Sequence, residues 1–451
     1  MGFQQGLSGL NAASKSLDVI GNNISNANTV GFKMAQAQFA DVFANSLSGA
    51  GTNGVGIGVK VQSVDQLFTQ GNISSTNNPL DIAINGAGFF RMSTNGAITY
   101  SRNGQFSLDK NGNIVNAQGA SLTGYKADTN GVLSTGAAVP LTINTSDIAP
   151  KQTDIVNALL NLDSRSLVPG TQTPVASPPV IVPVAFSLTD PLSYNNATSV
   201  AVFDSLGNSH VLQTFFVRVD PSATAPVPRV PVAPVTAEWD VFAAVDGILI
   251  NGTAAAPSPT NSIGKLGFDN MGKLIAATPN FAATDPYAFS IAVPVSTGAV
   301  TPISTPTIKF DLTGTTQYGS AFSVNSIKQD GYTSGKLSKF NTAKDGTIVG
   351  SYTNGKTSVL GQVALANFTN PNGLQSLGDN QWTETATSGQ ALVGPPGSGS
   401  LGVLTSNATE DSNTDLTGEL VNMITAQRVY QANAQTIKTQ DQILQTLVNL
   451  R

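Results

Sequence analysis

The chain has 451 residues, 40% of them hydrophobic and only 11% charged, with a formal net charge of −5, no cysteine and a single histidine. That length suffices for about three domains, each with its own core. The charge balance excludes a basic nucleic-acid footprint, and the lack of cysteine excludes disulfides and thiolate metal sites.

The charged share is under half the usual ~25%, and Asn, Ser, Thr, Gln and Gly fill the gap. That composition suits β domains rich in hairpins. The N-terminus shows no basic start, apolar core or small-residue cleavage site, so no cleaved leader is expected. Gly6 stands where a myristoylation motif carries Ser or Thr. No run of about 18 apolar residues occurs, so no membrane insertion is expected.

In chain order, a helix is predicted over 3–26. Phe3, Leu7, Leu10, Ser14, Leu17, Gly21 and Ile24 alternate in steps of four and three, which sets them along one coiled-coil stripe. Gly6, Gly9 and Gly21 each cost this helix about 1 kcal/mol relative to Ala. Asn22, Asn23, Asn26 and Asn28 offer side chains that end it. A short second helical piece is read at 35–47. Residues 55–61 alternate Val-Gly-Ile-Gly-Val-Lys-Val and read as a strand, because their glycines lack the strand–loop–helix context of a phosphate loop.

From 80 to 125, Asn-Gly pairs at 95–96, 103–104 and 111–112, followed by Gln118-Gly119, predict an antiparallel meander of short strands. A matching half lies downstream, punctuated by Asp330-Gly331, Asp345-Gly346 and Asn354-Gly355. Between these halves sit 20 of the 24 prolines, from Pro140 to Pro306. Proline keeps to sheet edges and loops, so this stretch reads as a loop-rich inserted domain. Within it, strands at 200–204 and 211–219 flank Gly207-Asn208 as a hairpin. The chain closes on a second helix, with Asn413, Thr414 or Asp415 as its cap and Asp415 the best placed before Leu416. Its 4-3 stripe runs Leu416, Leu420, Met423, Gln427, Tyr430, Ala434, Ile437, Asp441, Leu444 and Val448. Further apolar residues widen this face beyond one seam, so it calls for several helical neighbours.

Catalytic constellations fail by inventory. A Ser-His-Asp triad would need His210, which reads instead as a solvent-facing strand residue. Most aspartates stand in turn contexts, and no P-loop, zinc spacing or EF-hand loop is present. An enzyme is therefore not expected, nor is a cofactor or metal. The opening helix carries one lysine, Lys15, rather than the basic face of a membrane-surface helix.

Three blocks in order carry a family resemblance. Ser8-Gly9-Leu10-Asn11-Ala12-Ala13 with the run 21–33 (GNNISNANTVGFK) is similar to the N-terminal signature of bacterial flagellar rod and hook axial proteins. Residues 78–90 (NPLDIAINGAGFF) look like their second shared block, and 425–433 (TAQRVYQAN) like their C-terminal helix. The carried-over signature residues are Asn22, Asn23, Asn26, Gly31, Phe32, Pro79, Leu80, Asp81, Gln427, Arg428 and Tyr430. The blocks span about 1–125 and 318–451, whereas 150–310 matches weakly, as a variable outer domain would. Within the family the hook type is the nearer pattern, since 39–43 runs quickly into the 55–61 strand and a domain is added in the middle. The shorter distal rod type is the alternative.

The resemblance implies a mainly β chain whose α-helical termini pair as an antiparallel coiled coil, with two β-rich domains nested outward. The expected parts are a helical inner-tube domain (1–28 and 412–451), a connecting segment (29–75 and 398–411), an inner β domain (76–149 and 315–397) and an outer inserted domain (150–314). The expected assembly seam is Phe3, Leu7, Leu10, Leu17, Ile24, Leu416, Leu420, Met423, Tyr430, Ala434, Ile437, Leu444 and Val448. The implied function is a structural subunit of an extracellular, hollow helical tube that transmits torque from rod to filament. Implied partners are the chain itself, the distal rod protein, the hook cap protein, the hook–filament junction protein and the flagellar type III export apparatus. Two readings of other classes compete: an extracellular β-rich adhesin, which leaves the terminal heptads unexplained, and a carbohydrate-active enzyme, which needs a deep carboxylate-lined cleft.

Overall fold

The computed structural model of the chain describes residues 2–42, 56–128, 131–134, 136–172, 181–219, 235–250, 262–278, 287–292 and 307–449. They divide into two compact units, Met1–Ser146 with Leu337–Arg451, and Asp147–Lys336. The fold is mainly β, with one long helix near each end of the chain.

In the first unit, α1 spans Gly2–Ser25 and α2 spans Leu416–Asn449. The last carbonyls of α1 are taken by nearby polar groups: Ser25 Oγ donates to Gly21 O at 2.8 Å and Asn26 Nδ2 to Asn22 O at 3.0 Å. These bonds answer the orphan acceptors of a helix end. Asp415 caps α2, its Oδ1 accepting from Thr417 N at 3.0 Å. The 34 residues of α2 make a rod of about 51 Å.

The stretch read as a second helix is a strand. Residues Ala35–Val42 form β1, paired antiparallel with β2, Gly58–Gln66, through a bulge between Gln38 and Phe39; residues 43–47 lie outside the described residues. Alanine favours a helix, but Ala-Gln-Ala-Gln alternates with period two, and pairing with β2 overrides propensity. The strand expected at 55–61 starts at Gly58 and runs on to Gln66.

The inner β unit has a core of Ile82, Ile84, Phe90, Met92, Leu122, Val363, Leu365 and Leu404, among others. Both halves of the chain build one sheet: strand Ser121–Lys126 pairs with Phe89–Thr94 on one side and with Thr357–Val363 on the other. Asn95 and Gly96 both have positive φ, at 51° and 93°, as the expected two-residue hairpin requires. Asn103-Gly104 is different. A Cβ on Gly104 would collide with the Ile82 carbonyl, so this glycine permits a close backbone approach and makes no hairpin. Asp330-Gly331 likewise closes no hairpin: Asp330 Oδ1 accepts from Asp154 N and Ile155 N, each at 3.0 Å.

In the second unit a six-stranded sheet and a four-stranded sheet share one core, with Val156, Leu160, Phe216, Trp239, Leu266, Phe289 and Phe310 fully buried. The expected hairpin is present as Asn196–Phe203 paired with Ser209–Val219. The expected limit at 314 falls short, because strand Ser323–Gln329 pairs with Ile155–Asn161 and belongs to this unit. Pro-rich residues 174–180 and 226–234 lie outside the described residues. His210 is not solvent-facing. Its side chain is 14% exposed, with Nδ1 2.6 Å from Asp246 Oδ2 and Nε2 3.5 Å from Asp204 Oδ2.

Candidate functional site

The two terminal helices pack against each other in antiparallel fashion. A Cβ on Gly6 would lie 3.0 Å from Ile437 Cγ1, one on Gly9 would lie 2.8–2.9 Å from the Asn433 amide, and Asn23 donates to Glu419 Oε2 at 3.2 Å. On α1 the buried stripe is therefore small: Gly6, Ala12, Ala13, Val19, Ile20 and Asn23. On α2 it is Glu419 and Ala426, with Met423, Asn433, Ala434 and Ile437 half-buried. The interaxial distance of a helix pair depends on the side chains between them, and this pair is drawn close by glycine and alanine.

On α1 the expected seam is offset by one position from the face that pairs within the chain, whereas on α2 the two partly coincide. Leu10, Leu17 and Ile24 are half-buried on the adjacent stripe of α1, while Phe3 and Leu7 are exposed, Phe3 to 47%. On α2, Met423, Ala434 and Ile437 face the pair, but Leu416, Leu420, Tyr430, Leu444 and Val448 point to solvent, Leu444 at 53%. Large apolar residues thus mark mostly the outward stripe, and small residues the inward one. Large apolar side chains facing water on two long helices form a surface with no cover in a single chain.

The β1–β2 hairpin lies over α1. Gln5 Nε2 donates to Gly56 O at 2.6 Å, and Val59 N donates to Ser8 Oγ at 3.3 Å. Gly58, with φ of 139°, leaves no room for a side chain against Ser8. At its other end, Asn23 clips the hairpin base through Ala35, donating to its carbonyl at 2.8 Å and accepting its N–H at 2.9 Å. Between the hairpin and α2, above α1, an apolar groove of about 670 Å³ opens. Small residues floor it: Gly9, Ala12, Ala13 and Ser16.

The helix pair joins the inner β unit at a buried ionic node. Glu410 is 1% exposed, and its Oε1 takes Lys33 Nζ at 2.6 Å and Gly71 N at 2.9 Å, while Oε2 takes Arg102 NH1 at 3.1 Å. Lys33 Nζ also donates to Thr69 O at 2.7 Å, and Arg102 NH2 to Gly86 O at 2.9 Å. Burial pushes both the Lys33 ammonium and the Arg102 guanidinium below their ordinary values, with Glu410 opposing the shift in each. Four chain segments, those of Lys33, Gly71, Arg102 and Glu410, meet here. Glu410 arrives on strand Ala408–Glu410, which pairs with Ile73–Ser75.

The remaining signature residues take separate places. Gly31 sends its N–H to Glu410 O at 2.8 Å, and a side chain on it would strike the backbone of Arg102 and Asn103. Asn22 and Asn26 bond each other at 2.6 Å at the end of α1, and Phe32 follows half-buried in a turn. Pro79 and Leu80 lie in the turn closed by Asp81 N donating to Asn78 O at 3.1 Å, and Leu80 packs on the inner core. Asp81 is 8% exposed and accepts from Asn78 Nδ2 at 2.9 Å. Gln427 and Arg428 are exposed on α2. The sequence reading missed Arg102 and Glu410 altogether, since neither lies in a local pattern. Lys33 stood inside the first quoted block without a role.

Among the described residues, no group of three or more His, Cys, Asp or Glu could hold a metal ion, and no helix is long and apolar enough to cross a membrane. Four family models match the chain: the flagella basal body rod protein over residues 3–33, the flagellar hook protein FlgE/F/G D1 domain over 83–156, the flagellar basal body protein FlaE D2 domain over 161–332, and the flagellar basal body rod FlgEFG protein C-terminal region over 405–450. The flagellar hook proteins FlgE of Salmonella typhimurium and Escherichia coli are each 42% identical to it, over 100% of both chains. That of Borreliella burgdorferi is 34% identical over 99% of this chain and 98% of its own. In fold, it is similar to the crystal structure of Helicobacter pylori flagellar hook protein FlgE2, with a TM-score of 0.50 and 12% identity over 76% of this chain and 99% of that one. With full-length relatives at this identity and terminal helices built to pair and then to offer a second apolar face, the chain belongs to the flagellar hook protein family.

Proposed function

We propose that this chain is the structural subunit of the extracellular flagellar hook. It assembles with itself into a hollow, flexible helical tube that passes torque from rod to filament, and it is not an enzyme. The observation that carries this reading is the arrangement of the terminal helices. The close pairing within the chain runs along small residues of α1, which leaves Phe3, Leu7, Leu416, Leu420, Ile424 and Leu444 exposed. A repeated contact between unlike surfaces does not close on itself and grows an open helical filament. In this role the ends of the tube meet the distal rod protein on one side and the hook cap and hook–filament junction proteins on the other. The subunit leaves the cell through the flagellar type III export apparatus.

The test is electron microscopy of the purified full chain at rising concentration, together with expression in a strain lacking its own hook subunit. Hollow tubes in the first and restored swimming in the second are expected. A chain that stays monomeric at high concentration and restores no swimming refutes the reading.

A further inference from the structure

The groove between α1, α2 and the β1–β2 hairpin has a shape that the opposite side of the same helix pair complements. Its floor places Gly9 with Ala13, and Ala12 with Ser16, each pair four residues apart on α1. Rows of small residues at this spacing form a trough into which a ridge of larger residues, also four apart, packs on a neighbouring helix. The chain carries such a ridge. Leu416, Leu420 and Ile424 follow each other at steps of four on α2 and are 46%, 45% and 51% exposed.

The ridge cannot reach the groove of its own chain. The groove wall on α2 is formed by Glu419, Asn422, Thr425, Ala426, Val429 and Asn433. At 100° per residue these stand on the opposite side of the helix from Leu420. A helix with its coverings is about 10–12 Å across, so ridge and groove of one copy are held apart by the body of α2 itself. Charge agrees as well. The one ionisable group in the groove, Glu419, already accepts from Asn23 at 3.2 Å and from Asn422 at 3.2 Å, and the ridge residues are uncharged.

The geometry points to a second copy of this chain as the occupant: the Leu416–Leu420–Ile424 ridge of one subunit seats in the α1–α2–hairpin groove of the next. Because ridge and groove are different surfaces on opposite sides of one helix, the contact is heterologous and propagates without closing. This rests on the assembly reading above and names the surfaces that perform it.

The test uses the full chain. Gln36, exposed on the hairpin at the groove's lip, is replaced by the photo-cross-linking residue benzoyl-phenylalanine. This subunit is polymerised with an equal amount of 15N-labelled, otherwise unmodified chain, irradiated, digested and analysed by mass spectrometry. The expected product joins the unlabelled hairpin peptide to a labelled peptide that contains residues 416–424, and Ile424→Gln in the labelled chain abolishes it. The same substitution raises the critical concentration for polymerisation about tenfold or more, and leaves the tryptophan fluorescence of the β units unchanged. Normal polymers whose cross-links stay within one copy, or reach another segment of the labelled copy, overturn the groove assignment while the assembly reading stands. Failure of the unmodified chain to polymerise overturns both.

Discussion

Removing the charge of Glu410 tests whether the buried node holds the first unit together. In Glu410→Gln the shape is nearly kept, but Lys33 and Arg102 lose their common anion. Their remaining acceptors are single carbonyls, Thr69 O at 2.7 Å and Gly86 O at 2.9 Å. The Lys33 and Glu410 side chains are fully buried and that of Arg102 is 3% exposed, so water does not replace what is lost. Breaking one partner out of a buried pair costs about 3–5 kcal/mol, and here one carboxylate serves two cations, which places the loss at the upper end. With an unfolding slope of about 2–3 kcal/mol per M urea, the midpoint should fall by about 2 M. The two tryptophans report separately: Trp382 lies in the first unit and Trp239 in the second. In a Trp239→Phe background the fluorescence transition follows the first unit alone. Replacing the trio by Lys33→Met, Arg102→Met and Glu410→Leu should recover much of the loss, because no charge is then left unpaired. An unfolding free energy for Glu410→Gln within about 0.5 kcal/mol of the parent chain's would refute the node as a structural tie.

Gly9 and Gly21 should respond in opposite ways. Gly21→Ala meets nothing within 4 Å and should stabilise α1 by about 0.5–1 kcal/mol, whereas Gly9→Val drives into Asn433 and should weaken helix pairing despite better helix propensity, both read by circular dichroism and polymer yield. Leu444→Asp should abolish tubes in electron micrographs while leaving both β units folded, and Ile437→Asp should do so by placing a charge in the seam against Gly6. Excising 147–336 and joining Ser146 to Leu337 should leave a folded, exportable subunit that forms straight or irregular tubes and swims poorly, because Ile148 and Gly335 lie side by side in a bridge where the chain leaves and returns; a truncated subunit that folds but forms no tube would count against it. His210 is raised above its ordinary value by its bond to Asp246, and Asp246 is held below the usual carboxylate range by Val211 N and His210. The histidine's contribution is full below its unfolded value near 6.5 and is lost as pH rises through the folded one; the aspartate's is full above about 4 and is lost as pH falls. The second unit should therefore gain up to about 1 kcal/mol between these limits, and a His210→Phe variant whose thermal midpoint kept the same pH profile would contradict this.

The architecture was legible where it depends on local pattern. Asn95-Gly96 and Asn354-Gly355 mark turns through positive-φ glycines, and Asp415 caps α2 as its placement before Leu416 suggests. Both helices announce themselves by period. Hydrophobic size gave the stripe but not its direction: the large residues of α1 follow a 4-3 rhythm as faithfully as Gly6, Gly9, Ala13, Ser16, Ile20 and Asn23 do one position away. Which stripe faces inward is decided by how closely two backbones can approach, a property of the pair and of neither helix alone. The same holds for β1, whose alanines suit a helix until β2 is present to pair with them. The ionic node was beyond reach for a different reason. Lys33 and Glu410 are separated by 377 positions, and no periodicity links residues that meet only after the sheet has closed.

Under the hook reading, torque applied to the terminal helices must enter the inner β unit through the few segments that connect them, and those segments cross at Glu410. Apolar packing alone would serve poorly there, because the hydrophobic effect is non-directional and lets surfaces slide at constant buried area. Hydrogen bonds and ion pairs fix distance and angle. At the node Lys33 holds the segment after α1, Gly71 N the approach to strand Ile73–Ser75, and Arg102 the inner sheet, all on one carboxylate. Burying three charges offers little net stability and can cost it, so their presence is better explained by the geometry they enforce than by the energy they supply. The outward helix faces follow the opposite logic. Leucines and isoleucines with no charged partner bind strongly without fixing a register to the ångström, which is the property that subunits in a bending tube need as their spacing changes from the inner to the outer side of the curve.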